Sequence, residues 1–331
     1  MKLSKLLIIA IAALFFSACT TEEDGSFTRH ELVFQVCMGY NETRAITDNS
    51  WSEGDLIFVK VGEDVKQYKI TFDDNNVPIA KGSSTSNTFY WEDLNRSSVT
   101  VTAWSFGQKI VESLDGVITI EGDQSIEENF YNSDFLYAPS ATVKKADVSQ
   151  LTFYHQMARV NINIKSDEGA EISKVELGTL EMASPCIFEA TFTEPTDEDP
   201  DPNHGYFETI EDESEGNEGE EGNEEEEEPE PVIPFLVSSP ADGYDVSYSA
   251  ILFPFPYESF GISITLVDGS KFSYIGGIYT SPNNNIYPFD PGTVNTFNIT
   301  IRNKQLTVDE VINPEGNRLD PVSVKNWRLE N

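Results

Sequence analysis

The side chains best suited to catalysis or metal binding are few and widely spaced. The 331-residue chain has three histidines that are far apart, His30, His155 and His204, and three cysteines, Cys19, Cys37 and Cys186. None of the HExxH, GxSxG, P-loop and GxGxxG sequences occurs. His155 lies in the apolar run LTFYHQMARVNINI (151–164), where a core histidine is favoured because no nucleophile is nearby. The residues therefore predict no enzyme, no cofactor and no metal site.

One acidic run does have the spacing of a calcium-binding loop. At its positions 1, 3, 5, 7 and 12 stand Asp197, Asp199, Asp201, Asn203 and Glu208. Pro202 occupies the position at which such a loop needs glycine, and the sequence shows no flanking helices. We therefore interpret the run as solvated charge that attracts divalent ions only weakly.

Four tryptophans raise the alternative of sugar binding. They are Trp51, Trp91, Trp104 and Trp327. Exposed on one face, they would form a stacking platform, as expected of a surface glycan-binding lipoprotein of an uptake system. Because aromatic side chains carry much of the burial in β-sandwiches, we favour packing in the core or at a domain interface.

Cys19 ends a segment with the layout of a secretory signal. Two lysines precede an unbroken apolar run (6–16), which is shorter than the roughly 20 residues that span a bilayer. Ser17 and Ala18, just before the cysteine, resemble the lipobox of bacterial lipoproteins. We predict a lipoprotein signal peptide over 1–18, lipidation at Cys19 and an acidic tether over 19–30. An ordinary cleaved signal or a buried helix is the alternative.

Net charge limits the partners of the chain. The formal charge is -36, and removal of residues 1–18, with two lysines and no acids, makes it -38. Such a chain is repelled by nucleic acid and by anionic headgroups, so membrane contact is expected through the lipid. Cys37 and Cys186 permit one disulfide, or remain two buried thiols.

Strand patterns dominate the rest of the chain. Runs rich in Val, Ile, Thr, Tyr and Phe recur between Gly, Asn, Asp, Ser and Pro clusters, without a helical period. We predict an all-β protein with an N-terminal β-sandwich over 31–145 and a C-terminal one over 146–331. Residues 194–231 hold nineteen Asp or Glu and no Lys or Arg, so we predict a disordered acidic insertion there.

Seven segments, in this order, resemble the fimbrillin family of bacterial lipoproteins. They are TRAITDNSWSEGDLIFV (43–59), SDFLYA (133–138), LTFYHQMARVNINI (151–164), ILFPF (251–255), ITLVDGSKFSYI (264–275), FDPGTVNTFNITI (289–301) and VSVKNW (322–327). The resemblance implies two tandem transthyretin-like Greek-key β-sandwiches and a structural or adhesive role in a type V pilus. It also implies joining of subunits by strand exchange. The acidic insertion departs from the family pattern.

The resemblance also implies proteolytic processing. An arginine-specific protease is held to remove the N-terminal segment of such subunits, and a cut between Arg44 and Ala45 would remove Cys19 and the strand ELVFQVCM (31–38) together. Arg29 is a second candidate that would leave this strand in place. The alternative is a permanent first strand in a monomeric anchored protein.

The tether sequence bears on location. TTEED (20–24) is similar to the signal that sends some Gram-negative lipoproteins to the outer face of the outer membrane. We therefore expect surface display at the cell outer membrane, with a host or glycan ligand as an open partner.

Substitution of the candidate lipid site tests the anchor. We expect Cys19→Ser to release the protein from membranes, or to leave it with an uncleaved signal, because no acyl chain can then be attached. Membrane fractionation with N-terminal sequencing measures this. Normal fractionation of the variant would contradict lipidation at Cys19.

Overall fold

The structure is a computed structural model that describes residues 29–39, 50–145, 147, 149–166, 169–178, 185–210, 230–255, 257, 260–276, 289–302, 305–312 and 318–319. Within these ranges the chain forms nineteen strands and two short helices, α1 (Trp91–Leu94) and α2 (Glu127–Asn132). No helix in the same ranges is long and apolar enough to cross a membrane. The prediction of a mostly β protein is confirmed.

The strands are short and follow one another closely. The first ten are β1 (Phe34–Met38), β2 (Leu56–Val61), β3 (Asp64–Phe72), β4 (Pro78–Gly82), β5 (Ser98–Ser105), β6 (Val117–Thr119), β7 (Leu136–Lys144), β8 (Gln150–His155), β9 (Ala158–Ser166) and β10 (Ile172–Leu177). The remaining nine are β11 (Glu189–Thr193), β12 (Tyr206–Thr209), β13 (Phe235–Leu236), β14 (Val246–Leu252), β15 (Phe260–Leu266), β16 (Lys271–Gly276), β17 (Val294–Arg302), β18 (Gln305–Ile312) and β19 (Arg318–Leu319).

Local sequence explains the hairpins. β5 begins SVTV and alternates exposed and buried residues, the pattern of a strand with one face on a core. Val61 pairs with Asp64 across β2 and β3, which leaves a two-residue turn. Gly62 in that turn has a φ of 64°, a conformation that glycine adopts without strain.

Seven strands close into a barrel in the order β1-β4-β3-β2-β5-β7-β8. Its core includes Phe34, Tyr68 and Phe153, each fully buried, together with Trp51 and Trp91. The predicted N-terminal sandwich is therefore corrected to a barrel. The difference arises because β1 pairs with both β4 and β8 and so removes the open edges of the sheet.

Strand β8 belongs to this barrel although it follows the predicted boundary near residue 145. The polar segment KKADVSQ (144–150) resembles a linker in sequence, but it connects β7 and β8, which pair as antiparallel neighbours. The change of sheet therefore falls between β8 and β9. The division into two domains stays a prediction.

The second half of the chain pairs two sheets over a separate core. One sheet has six strands in the order β13-β14-β9-β17-β18-β19, and the other has the order β10-β15-β16. Their shared core includes Val160, Ile162, Ile264, Tyr274 and Phe297, all at most 1% exposed. β9 lies beside β17 in parallel and beside β14 in antiparallel orientation.

A third cluster joins the two halves. β6, which follows the barrel strand β5, pairs with β11 from the second half, and β11 pairs with β12. Phe135 stacks on Phe106 with ring centroids 4.4 Å apart and meets the edge of Phe192 at 4.8 Å. Ile251 and Phe253 pack in the same cluster. The halves therefore share an aromatic core.

Part of the range 194–231, which we predicted to be disordered, instead forms strand β12. Its Phe207 packs 5.2 Å from Phe192 and 5.2 Å from Phe253. The stretch GYFETI (205–210) is short and mixes apolar and polar residues, so the acidic composition of the longer window hid the strand. Residues 211–229, which hold most of the acidic tract, lie outside the described part of the chain.

A buried glutamine, Gln124, links the two halves by hydrogen bonds. The Gln124 side chain, which is 0% exposed, donates from Nε2 to the Ile251 carbonyl at 2.8 Å and accepts from the Ile251 N–H at 2.8 Å. Gln156 acts similarly: it donates to the Asn203 carbonyl at 3.1 Å and accepts from the Gly205 N–H at 3.0 Å. These amides hold segments that are distant in sequence against one another.

Removal of the first amide tests its structural role. We expect Gln124→Leu to lower the free energy of unfolding by about 2–5 kcal/mol, because it leaves the Ile251 N–H and carbonyl buried without partners. Urea unfolding measures the change. The matched control Gln108→Leu, at an exposed position, should change it by only about 0.5 kcal/mol. Equal effects would show that Gln124 does not hold the junction.

Candidate assembly site at the first strand

Strand β1 closes the barrel through its backbone. It runs antiparallel to β4, where Phe34 pairs with Ala80, and parallel to β8, where Val36 pairs with Leu151. The Gly39 N–H donates to the Phe153 carbonyl at 2.7 Å. Both sides of β1 are thus hydrogen-bonded, so loss of this strand would open the barrel and leave two unpaired edges.

The side chains of β1 alternate between core and surface. Phe34 and Val36 of β1, and Leu32 just before it, are at most 1% exposed, whereas Gln35 and Cys37 are only partly buried. This is the period of two expected of a strand with one apolar face. The inward residues therefore occupy a continuous apolar groove between β4 and β8.

Tyr68 forms hydrogen bonds to the backbone just before β1. Its hydroxyl donates to the Leu32 carbonyl at 3.0 Å and accepts from the Phe89 N–H at 3.1 Å. Burial raises the pKa of Tyr68, so the hydroxyl keeps its proton and its donor role. In the sequence, KQYKITF (66–72) predicts only a strand, and nothing in it marks this hydroxyl.

A charged cluster holds the residues just before β1. Glu92 accepts from the His30 N–H at 2.7 Å and from Lys145 Nζ at 2.8 Å. The Lys145 ammonium first, and then the His30 hydrogen bonds, hold the pKa of Glu92 well below its usual range. Arg29 pairs with Asp93. The cluster is exposed, so it positions the chain and adds little stability by charge alone.

The second candidate processing site lies in this cluster. The Arg29 guanidinium lies 3.9 Å from the centroid of the Tyr90 ring and also pairs with Asp93. Its side chain is therefore engaged with α1 and the residue before it. The first candidate site, Arg44 with Ala45, and the lipidation candidate Cys19 lie outside the described residues.

The two other cysteines lie in different halves of the chain. Both are free thiols: Cys37 Sγ lies 3.3 Å from Thr152 Oγ1 in the barrel wall, whereas Cys186 packs in the core of the second half. Burial raises the pKa of Cys186 to about 12. The structure therefore has two thiols and not the disulfide that the sequence also permitted.

The remaining candidates from the sequence have structural partners. His155 Nδ1 lies 2.9 Å from Asp134. Burial lowers the pKa of His155, but the Asp134 carboxylate outweighs it, so the net shift is upward. His204 Nδ1 lies 2.7 Å from Asp201, a residue of the calcium-like run, and Tyr206 donates to Asp199 at 3.3 Å. Across the described ranges, no three His, Cys, Asp or Glu residues are grouped for a metal ion.

The three described tryptophans do not form an exposed platform. Trp51, Trp91 and Trp104 are 8%, 6% and 1% exposed, and Trp327 lies outside the described ranges. Trp104 donates its indole N–H to the Val111 carbonyl at 2.7 Å. For these three residues, the prediction of core packing is confirmed.

Comparison with known proteins agrees with the fold. Residues 43–314 match the profile of the fimbrillin-like family, and this span is most of the chain. The chain belongs to the fimbrillin-like family. The resemblance found in the sequence is thus confirmed, and the family is structural and adhesive, not enzymatic. β1 precedes the matched span. No curated protein sequence matches this fimbrillin-like chain.

Two solved structures share the fold at low sequence identity. A candidate cell adhesion protein from Bacteroides uniformis is 14% identical and has a TM-score of 0.54, over 86% of this chain and 98% of its own. Another from Bacteroides ovatus is 19% identical and has a TM-score of 0.52, over 92% and 99%. This fimbrillin-like chain is similar to both over nearly their whole length.

Weakening of the β1 core contacts should loosen this strand. We expect Phe34→Ala to cost about 3–5 kcal/mol of stability, because it leaves a cavity in the barrel. It should also speed labelling of the Cys37 thiol by a small alkylating reagent under native conditions, since Cys37 lies in β1. Cys186 should stay slow because it is buried in the other core.

The matched control is the neighbouring residue. Gln35→Ala changes a side chain outside the groove. The labelling rate of Cys37 in this variant should therefore stay near that in the unmodified sequence. Equal acceleration in both variants, or equal acceleration at Cys186, would mean that β1 does not open as a separate element.

Proposed function

We propose that this protein is a lipid-anchored subunit of a type V pilus at the cell outer membrane. In this proposal, Cys19 carries the lipid and other subunits join by strand exchange at the groove of β1. The barrel, in place of the first sandwich that the resemblance implies, and the second half would be the two tandem units of the subunit. The observation that carries the proposal is that one N-terminal strand fills a groove and closes the barrel on both sides.

The energetics of β1 suit a replaceable strand. Burial of Leu32, Phe34 and Val36 contributes about 1.5–3 kcal/mol for each side chain, a large part of the stability of a typical domain. An open groove would therefore be unstable and prone to association, and an incoming strand with apolar residues at alternate positions would restore both edges.

Processing would couple release from the membrane to assembly. A cut after Arg44 would separate β1 from β2 in the chain, and with it the lipid at Cys19. The contacts of Tyr68 and Glu92 would still hold the severed strand. The incoming strand must therefore displace β1, so cleavage permits assembly and the next subunit drives it.

The structure supports the glycan-binding alternative less well. A sugar platform needs exposed tryptophans, but the three described ones are buried in cores. We retain the pilus subunit as the proposed function.

Variants at the two arginines test this proposal in cells. We expect a mature N-terminus at Ala45 and filaments that label with antibody, and we expect Arg44→Ala to abolish both. Arg29→Ala is the matched control. It should leave processing unchanged, because the proposed cut follows Arg44 and a cut at Arg29 would leave β1 in place. N-terminal sequencing and electron microscopy give the readouts. An acylated Cys19 as the sole N-terminus of the unmodified protein would rule out this route.

A further inference from the structure

A cleft of about 760 Å³ lies between the barrel and the second half. It is separate from the apolar groove of β1, although Met38 at the end of β1 forms part of its wall. The helix α2 lies along one side, and residues from β8 and β9 lie on the other. The shape of the cleft therefore depends on both halves.

The cleft carries an excess of negative charge. Its lining includes four carboxylates, Asp55, Glu127, Glu128 and Asp134, against the Arg159 guanidinium and the His155 imidazole. Asp134 is engaged with His155, and Arg159 donates to Ser249 Oγ at 2.7 Å. Glu127 and Glu128 are exposed and, in the described part of the chain, form no ion pair. A cationic group would find two uncommitted carboxylates there.

Aromatic and unpartnered polar groups accompany this charge. Tyr131, next to the two glutamates, is 52% exposed and lines the cleft, so its ring is open to a cation. Trp51 and Thr293 also line the cleft, are at least nine-tenths buried, and have an indole N–H and a hydroxyl without a hydrogen-bond partner. Buried polar groups without partners are rare in proteins and mark places where a ligand or water completes the bonding.

We propose that this cleft binds a peptide segment of a partner protein that carries an arginine or lysine. The basic side chain lies between the carboxylates of Glu127 and Glu128 and the face of Tyr131. The peptide backbone supplies a carbonyl acceptor for the Trp51 indole N–H, which a simple cation lacks. A second copy of this chain is disfavoured, since each copy has a net charge of -36. The inference concerns the full chain with β1 in place, because Met38 of β1 forms part of the cleft wall, and it does not require strand exchange.

A defined peptide tests the proposal on the full chain. The probe is the acetylated and amidated peptide Gly-Arg-Gly-Arg-Gly, and the comparison peptide has glutamine in place of each arginine. With methionine methyl groups labelled by carbon-13, we expect the probe to shift the signals of Met38 and Met157, which line the cleft. The glutamine peptide should produce no shift.

Charge-matched variants distinguish binding by the cleft carboxylates from general attraction of the probe to an acidic chain. We expect Glu127→Gln with Glu128→Gln to weaken binding about tenfold, the loss of roughly 1.4 kcal/mol that two partly exposed pairs supply. Asp74→Asn with Asp242→Asn removes the same charge at exposed positions away from the cleft and should weaken it less than about twofold.

Three outcomes would overturn the proposal. They are unchanged Met38 and Met157 signals, equal weakening by the two double variants, and equal binding of the glutamine peptide. Binding of a neutral oligosaccharide such as maltohexaose, with no response to the arginine peptide, would assign the cleft to a glycan instead.

Discussion

The pairing of β1 with two strands at once is the constraint on which the barrel depends. β4 and β8 present their backbone groups to the same narrow gap, and only a strand that hydrogen-bonds on both sides leaves no edge. The inward residues of β1 fill the gap, and Tyr68 fixes its start. The first strand therefore completes both the hydrogen-bond ladder and the apolar core of the barrel.

The second constraint is the shared core between the halves. Aromatic rings from β7, β11 and β12 meet there, and the Gln124 and Gln156 amides satisfy backbone groups of the opposite segment. Because a buried amide must find all its partners, this contact admits one relative placement far better than others. The cleft beside it thus has a defined shape, although its lining residues come from five or more separate stretches of chain.

The elements could be predicted from the sequence better than their arrangement. Alternation such as SVTV in β5 sets the strands, and the family segments identify the fold. Closure of the barrel could not be predicted from the sequence, because it depends on pairing between residues more than 100 positions apart, such as Gln35 and Gln150. Strand β12 was hidden because six residues of mixed character stand among many acids. Tyr68, Glu92 and the cleft carry no local motif, since each acts through neighbours that only the fold brings together.

The parallel pairing of β1 with β8 has a consequence for how the chain folds. Cys37 and Thr152, which touch in the barrel, are 115 residues apart, so the contact forms only after a large loop has closed. Proteins with such distant pairings fold slowly. β1 is made first and can pair with β4 early, but its other edge has no partner until β8 follows. For a chain with this topology, the time that passes before β8 is made sets how long this strand edge is open to mispairing.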